Sequence, residues 1–438
     1  MKSINRRVFV SALIVGFGFL VSKVTGFLDD RILVQTIGAN SALDAYYAAF
    51  NLPDLLFTLI SGGALAAALI PMMSEFLARD DRAGAWKLTS AVVNTAFVIA
   101  LLGAAILMLF ASWFVAQTVG QGFSLEYQLL TANLMRVLLI GTIIFSISGV
   151  VMSALQANQH FFLPALAPIM YNLGILGGVI FLAPKIGVWG PAIGVVIGAL
   201  LHLLIQVPGL IKYKASWTAW LGWRDAALRR VIKLMIPRVI GLGVVQLAGL
   251  VAVSLASTLP VGSVTALSNG WKVMQLPETL IATAIATAAF PTLSDLASRR
   301  QFQQLSATLR TTLLAILALT IPATIGLWLF SSQIVNVLYD ASPDVMLLIT
   351  WAVHGYALGL VGHSTLEVGA RTFYAQQDTR TPLFVAIGAM LVNIVASFLL
   401  RDRLGVGGLA LANAIGVSVE SGALLLLLRR RFAHTDRV

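Results

Sequence analysis

Asp44, Tyr47, Asn51, Asp54 and Thr58 recur at i, i+3, i+7, i+10 and i+14 in a strongly apolar stretch, a spacing that lines one face of a helix. Lys23, Gly26 and Asp30 share a stripe on the apolar stretch before it. Lys272, Gln275 and Thr279 share one in the second half of the chain, where Glu278 follows Pro277 as Asp54 follows Pro53. Such residues in an apolar setting normally face a partner or a wet cavity. Lys23, Asp30, Asp44, Asn51 and Lys272 are therefore the candidate substrate-binding residues, and Asp54 and Glu278 the candidates for a coupling ion. A third group, His354, His363 and Glu367, places His363 and Glu367 at i, i+4, either as a proton relay or as structural hydrogen bonds. Nothing points to covalent catalysis. The chain has no cysteine, no Walker loop, no H-E-x-x-H and no Gly-x-Ser-x-Gly, so neither an enzyme nor a metal centre is expected.

The elements that carry these residues are membrane spans. Hydrophobic residues make up 58% of the chain and charged residues 11%, and mean hydropathy is +0.90, well outside the soluble range. Apolar stretches long enough to cross a bilayer predict twelve helices, near 8–34, 41–70, 88–117, 126–156, 164–184, 187–209, 232–259, 262–293, 306–332, 343–373, 382–400 and 405–428. A charge at bilayer depth costs about 2.5–3.5 kcal/mol, so the polar residues above must meet a partner or a wet cavity. Lysine–carboxylate pairs that glue helices are the plainer reading of any one residue, whereas recurrence on three helices favours a shared cavity lining. Pro53 and Pro277 fall mid-span and are expected to kink their helices.

Charge distribution sets the topology. With both termini cytoplasmic, 22 of the 29 lysines and arginines fall in inner segments and 4, Arg31, Lys185, Arg401 and Arg403, in outer loops, while Lys23, Arg136 and Lys272 lie inside spans. The pI near 10.2 thus reflects cytoplasmic rims facing anionic membrane lipids and not a nucleic-acid groove. The two halves also repeat each other. Pro164 matches Pro382, Leu52-Pro53-Asp54 matches Leu276-Pro277-Glu278, Asn172 matches Asn393 and Gly187-Val188 matches Gly405-Val406, with offsets from 218 to 224. Six spans per half make the repeats parallel, as in many transporters. The expected organisation is an N-terminal lobe over 1–211, an amphipathic cytoplasmic linker over 212–231 and a C-terminal lobe over 232–438. Trp217, Trp220 and Trp223, three apart beside basic residues, predict an interfacial helix in that linker. The substrate site is expected between the lobes near the midplane, with alternating access by rocking.

The stretch Ser22-Lys23-Val24-Thr25-Gly26-Phe27-Leu28-Asp29-Asp30, then Gly38-Ala39-Asn40 and Asp44-Ala45-Tyr46-Tyr47-Ala48-Ala49-Phe50-Asn51-Leu52-Pro53, resembles the MurJ (MviN) lipid II flippases, as does Pro164-Ala165-Leu166-Ala167-Pro168 with Asn172. The resemblance runs in order over nearly the whole chain. It implies an all-α integral membrane protein of the MOP superfamily, two parallel six-helix lobes in the bacterial cytoplasmic membrane, moving undecaprenyl-pyrophosphate-linked peptidoglycan precursor outward. By motif position the family's basic residue after the first-helix serine corresponds to Lys23, its first-helix aspartate to Asp30, its second-helix aspartate to Asp44 and its eighth-helix arginine to Lys272. The chain departs from the family where an arginine before the aspartate is Asp29, an arginine pair is Phe57-Thr58 and an acidic residue is Gly62. It also ends after the twelfth span, where family members carry two further helices. The partner implied is lipid II or a related polyprenyl-pyrophosphate saccharide, with cell-wall synthesis proteins as candidate protein partners and a monomer as the expected state. No cofactor is expected beyond a monovalent ion or the membrane potential. The alternative is a cation-coupled multidrug or small-molecule exporter of the same superfamily, which paired lysines disfavour because a cationic drug would not seek them.

Overall fold

The computed structural model describes residues 2–38, 40–61, 64–339 and 342–435. The side chains of 2–16, 19, 61, 64, 66, 67, 237, 238, 434 and 435 lie outside that description. So do Ala39, Gly62 and Arg437, read above for motif or charge. Among the described residues every regular element is helical. The chain divides into two compact units, 1–246 and 247–438.

In the first unit, α1 (Lys2–Ile37) ends where Gly38 takes a left-handed φ of 76°, and Asn40 then caps α2 (Ser41–Ala49), its side-chain oxygen accepting from the backbone of Ala42 and Leu43. There follow α3 (Asn51–Ser61), α4 (Ala64–Ala78), α5 (Arg82–Leu109), α6 (Ala111–Gln117), α7 (Leu125–Ala157), α8 (Phe162–Gly177), a π-helical turn (Gly178–Leu182), α9 (Ala183–Ile186), α10 (Trp189–Leu204) and α11 (Val207–Lys212). The predicted second span is therefore not one helix. It breaks at Phe50, because Pro53 has no N–H to give and its ring crowds the carbonyl of residue 49, the last of α2. The single polar stripe expected there is split accordingly. Asp44 and Tyr47 are buried in α2, while Asp54 stands exposed in the first turn of α3.

Small residues let the backbones of this unit close on one another. Gly174 and Gly178, four apart, meet Gly190, Gly194 and Gly198, also four apart, so closely that a Cβ on Gly174 would lie 2.3 Å from the Cα of Gly198 and one on Gly178 would lie 2.4 Å from the carbonyl of Gly190. Without water to drive association in a bilayer, such close van der Waals packing is what holds helix pairs together. Outward-facing residues are large and apolar, among them Leu109, Trp113 and Phe181, as a lipid-facing surface requires.

The long helix α12 (Ala226–Ala256) crosses the boundary of the units. The segment before it, 213–225, is not the interfacial helix expected. Lys214 and Gly222 take left-handed φ values, and side chains of α5 bind the segment's backbone. Asn94 donates to the carbonyls of Thr218 (2.8 Å) and Trp220 (2.9 Å) and accepts from the Trp217 indole (2.9 Å), Ser90 accepts from the Thr218 amide (3.2 Å), and the Lys87 ammonium lies 4.4 Å from the centre of the Trp220 ring. These partners satisfy backbone groups that a helix would otherwise satisfy itself.

The second unit continues with α13 (Ser263–Pro277), a π-helical turn (Glu278–Thr283), α14 (Ala284–Ser298), α15 (Phe302–Leu329), α16 (Ser331–Tyr339), α17 (Pro343–Ala357), α18 (Leu360–Ala375) and α19 (Arg380–Thr435). Pro277 marks the change of helix type directly before Glu278. Within α19, Gly405 is non-helical at φ 55° and ψ −136°, so two helices meet there. Arg431 at the far end pairs with Asp378 just before the start, which fixes the two as an antiparallel hairpin. A close seam runs here too, with Gly355 on Gly407, Gly359 on Ala414 and Gly362 on Ser418. Eight helices among the described residues are long and apolar enough to span a membrane, or nine with α17 and α18 taken as one span bent by 44°. The twelve predicted stretches fall on these and on α1, the broken α2–α4 series and the two arms of α19.

The repeat is written in the backbone as well. Gly38 and Gly262, Asp80 and Arg300, Gln159 and Gln377, and Gly187 and Gly405 all take left-handed φ, each pair 218 to 224 residues apart. Glycine is needed at some of these turns and not at others, yet the conformation recurs in register.

Candidate functional site

Past the turn at Gly38, α2 packs on α7 and α1 on α8, and the Tyr47 side chain reaches Asp30 on α1. Both are buried, and the tyrosine hydroxyl donates to Oδ1 of Asp30 at 3.0 Å. Asp44, 3% exposed, lies one turn before Tyr47 on the same helix. Lys23 is half-buried on α1, and close by the amide of Asn172 on α8 donates to the carbonyl of Ser22 (2.7 Å) and the hydroxyl of Thr25 (2.8 Å). Asn51 turns its amide onto the carbonyls of Tyr47 (3.3 Å) and Ala48 (3.1 Å) and so secures the break after α2. In the second unit Lys272 and Glu278 are both half-buried, on α13 and at the start of its π-helical turn. Thr58 accepts from Gln246 at 2.9 Å.

The histidine and glutamate of the tenth predicted span form no relay. Glu367 pairs with Arg371 (2.8 Å), His363 meets the Asn413 side-chain oxygen (3.0 Å), and His354 meets the Ser331 hydroxyl (2.7 Å) and the Trp328 carbonyl (3.0 Å). An arginine one turn on takes the carboxylate in a charge-assisted pair. Each histidine is thus spoken for by a structural hydrogen bond.

Two features of the first unit were not read from the sequence. One is a cavity of about 210 Å3 beside the break at Phe50, with Phe50, Asp54, Phe57, Thr142, Phe145 and Tyr171 in its lining. Phe145 packs edge to face on Phe57 (5.7 Å between ring centres) and on Tyr171 (4.9 Å). The other is a buried polar cluster behind Phe145, in which Ser148 and His202 approach to 2.6 Å and Gln206 donates to Ser148 at 2.9 Å. The i, i+4 spacing of His202 and Gln206 in an apolar span was the available signal for the second. The cavity had none, since its rings come from three separate helices.

Outside the membrane spans, Asp378 lies just before α19. Burial pushes its carboxyl up, but the backbone and hydroxyl of Thr381 and the guanidinium of Arg431 outweigh this and hold it at about 2. His160, at the turn between α7 and α8, is pushed below its usual value by burial and by the nearby Lys212.

A family model described as "Lipid II flippase MurJ" matches residues 33–437. The lipid II flippase MurJ of Burkholderia cenocepacia is 28% identical over 436 residues, covering 96% of this chain and 84% of that relative. The probable lipid II flippase MurJ of Thermotoga maritima is 29% identical over 435 residues, covering 97% and 86%. Among solved structures, a lipid II flippase MurJ in an inward closed conformation superposes with a TM-score of 0.81 at 24% identity, over 95% of this chain and 87% of that one. An inward-facing multidrug resistance MATE family transporter of the MOP superfamily gives 0.79 at 16% identity, over 95% and 96%. The fold is thus common to flippases and drug exporters, whereas the sequence match is to the flippases.

Proposed function

The chain belongs to the lipid II flippase MurJ family, and from that membership we propose how its polar residues carry a headgroup across the bilayer. It is a lipid II flippase, a transporter and not an enzyme, and a multi-pass protein of the bacterial inner membrane with a MOP-type fold. The observation that carries this is the family match over residues 33–437, which takes in nearly every element described above. Lipid II is the substrate, and the basic inner segments orient both termini toward the cytoplasm.

A pyrophosphate cannot enter hydrocarbon without countercharge. Lys23 in the first unit and Lys272 in the second supply it, each meeting the pyrophosphate as the headgroup path opens first to the cytoplasm and then to the outside. Asp30, held by the Tyr47 hydroxyl, and Asp44 one turn away present acceptors to hydroxyl and amide donors of the saccharide and peptide. Asn51 serves the same face through the geometry of the break it secures. Asp54 and Glu278, each directly after a proline that interrupts a helix, are the residues that bind a monovalent coupling ion, or respond to membrane potential, while the helices rearrange. The chain acts as a monomer, alongside the proteins that make and consume lipid II.

Expression of the chain in a bacterium depleted of its own flippase tests the assignment. Growth should be restored and precursor accumulation relieved. Stable, membrane-inserted protein that leaves the precursor accumulating would overturn it.

A further inference from the structure

The turn between α7 and α8 lies outside the membrane spans and carries His160. Gln159 takes a left-handed φ of 59°, the His160 amide donates to the carbonyl of Leu155 at 2.9 Å, and the imidazole packs edge to face on Tyr213 with 5.8 Å between ring centres. Tyr213 in turn packs on an apolar cluster of Met73, Ala85, Trp86, Ala154 and Ala157, so the contact ties the turn to α4 and α5 as well. Nε2 of His160 is buried and has no hydrogen-bond partner among the described residues. Of the charged groups around it, Lys212 ends α11 with its ammonium 5.6 Å from the Tyr213 ring centre, and Lys214 follows. Glu75 on α4 pairs with Arg230, Asp81 caps α5 at Gly84, Lys87 lies over the Trp220 ring, and α8 carries no charge. On α7 the charged residues, Glu126 and Arg136, belong to the first half of the helix, and α1, which packs on α8, starts with the basic Lys2, Arg6 and Arg7. Among the described residues no acidic side chain bonds the imidazole. The repeat supplies a contrast. At an offset of 218 residues Gln377 takes the same left-handed φ, Asp378 stands where His160 does, Arg431 stands where Tyr213 does, and those two form an ion pair.

We propose that the contact of His160 with Tyr213 is a pH-sensitive latch on the turn between α7 and α8, closed with a neutral imidazole and open with a protonated one. A neutral ring can leave Nε2 as an unmet acceptor. Protonation turns that atom into a buried donor that carries charge, with no acceptor beside it and Lys212 repelling it. Swinging the ring out to water removes both penalties and gives up one aromatic contact. Burial first and Lys212 second hold the closed imidazole below its ordinary value of 6.5, so the closed latch is fully favoured above 6.5 and is lost as pH falls through the lower value. Between the two values, each pH unit of acidification raises the open-to-closed ratio by up to about tenfold. Asp378, held at about 2, keeps its ion pair over that range, so acid loosens one unit and not the other. With the termini cytoplasmic, as proposed above, the latch reads cytoplasmic pH, and it operates whatever headgroup the chain carries.

The test uses the full chain in nanodiscs, with nitroxide labels on Phe162→Cys and Ala215→Cys, exposed positions on either side of the contact in a chain with no native cysteine. Between about pH 8 and about pH 5 the distance distribution should pass from short and narrow to longer and broader, with a midpoint below 6.5. Lys212→Ala should raise that midpoint by about half a pH unit, because a repelling cation is gone. His160→Phe keeps a ring and should stay closed at every pH, and His160→Gln, a second variant that cannot titrate, should likewise show no response should the phenylalanine distort the turn. A distribution that ignores pH in the wild type, a response that survives in the His160 variants, or a midpoint that Lys212→Ala leaves in place or lowers overturns the proposal.

Discussion

Tyr47 and Asp30 form a buried hydrogen bond from helix to helix that no spacing rule could have announced. The periodicity of α1 placed Lys23 and Asp30 on one stripe, and that of the second span placed Asp44 with Tyr47. The contact of the two stripes depends on tertiary packing, with α1 held on α8 and α2 on α7. Tyr47→Phe should therefore lower thermal stability by about 0.6 and at most about 1.7 kcal/mol, the range for hydrogen bonds joining helices in membranes, and should reduce transport more than stability because Asp30 loses its fixed orientation. A variant with transport equal to wild type would remove Asp30 positioning from the account. Asp378 offers a second check at this scale. Its carboxyl is held below its ordinary value in the folded protein, so the stability it contributes is present above about pH 4 and is lost as pH falls toward about 2. The difference in unfolding temperature between wild type and Asp378→Asn should accordingly be largest near pH 5 and shrink over that acid window. A difference that stays constant down to pH 2.5 would show that charge at Asp378 is not what ties the start of α19 to Arg431.

At the scale of elements, what the sequence disclosed depended on whether a local rule or a distant partner decided the conformation. Pro53 and Pro277 announced their interruptions because proline acts on its own carbonyl neighbour within one turn. The linker misled for the opposite reason. Its tryptophans keep helical spacing, but the partners that decide its path, Ser90 and Asn94, lie more than a hundred residues earlier on α5. Asn94→Ala should free this segment, raising its hydrogen exchange and its cleavage by protease near Lys214 while leaving α5 helical. Unchanged protection would mean that Lys87 and Trp220 hold the strap by themselves. The glycine seam of α8 and α10 makes a stronger demand. Gly194→Leu places side-chain atoms where the backbone of Ile175 and Gly178 already stands, and overpacking of that kind costs about 1–3 kcal/mol. The expected readout is a lowered unfolding temperature in detergent, and a wild-type value would show that the seam yields without strain.

Taken whole, the molecule is legible in outline because the bilayer restricts it so severely. Apolar stretches and matched prolines disclosed the helices and the repeat. The left-handed turns recurring 218 to 224 residues apart carry that repeat into the backbone. The aromatic cavity was not legible, since its walls are apolar residues that periodicity assigns to core or lipid. The central claim is that lipid II crosses with its pyrophosphate countered by one lysine from each unit. Purified protein reconstituted into vesicles, with labelled lipid II placed in one leaflet and its appearance in the other followed over time, measures that claim most directly. Wild type and the double variant Lys23→Arg, Lys272→Arg should flip, whereas Lys23→Ala and Lys272→Ala should each slow flipping at least tenfold, since a charge rather than a shape is required. Undiminished flipping by both alanine variants would contradict the account.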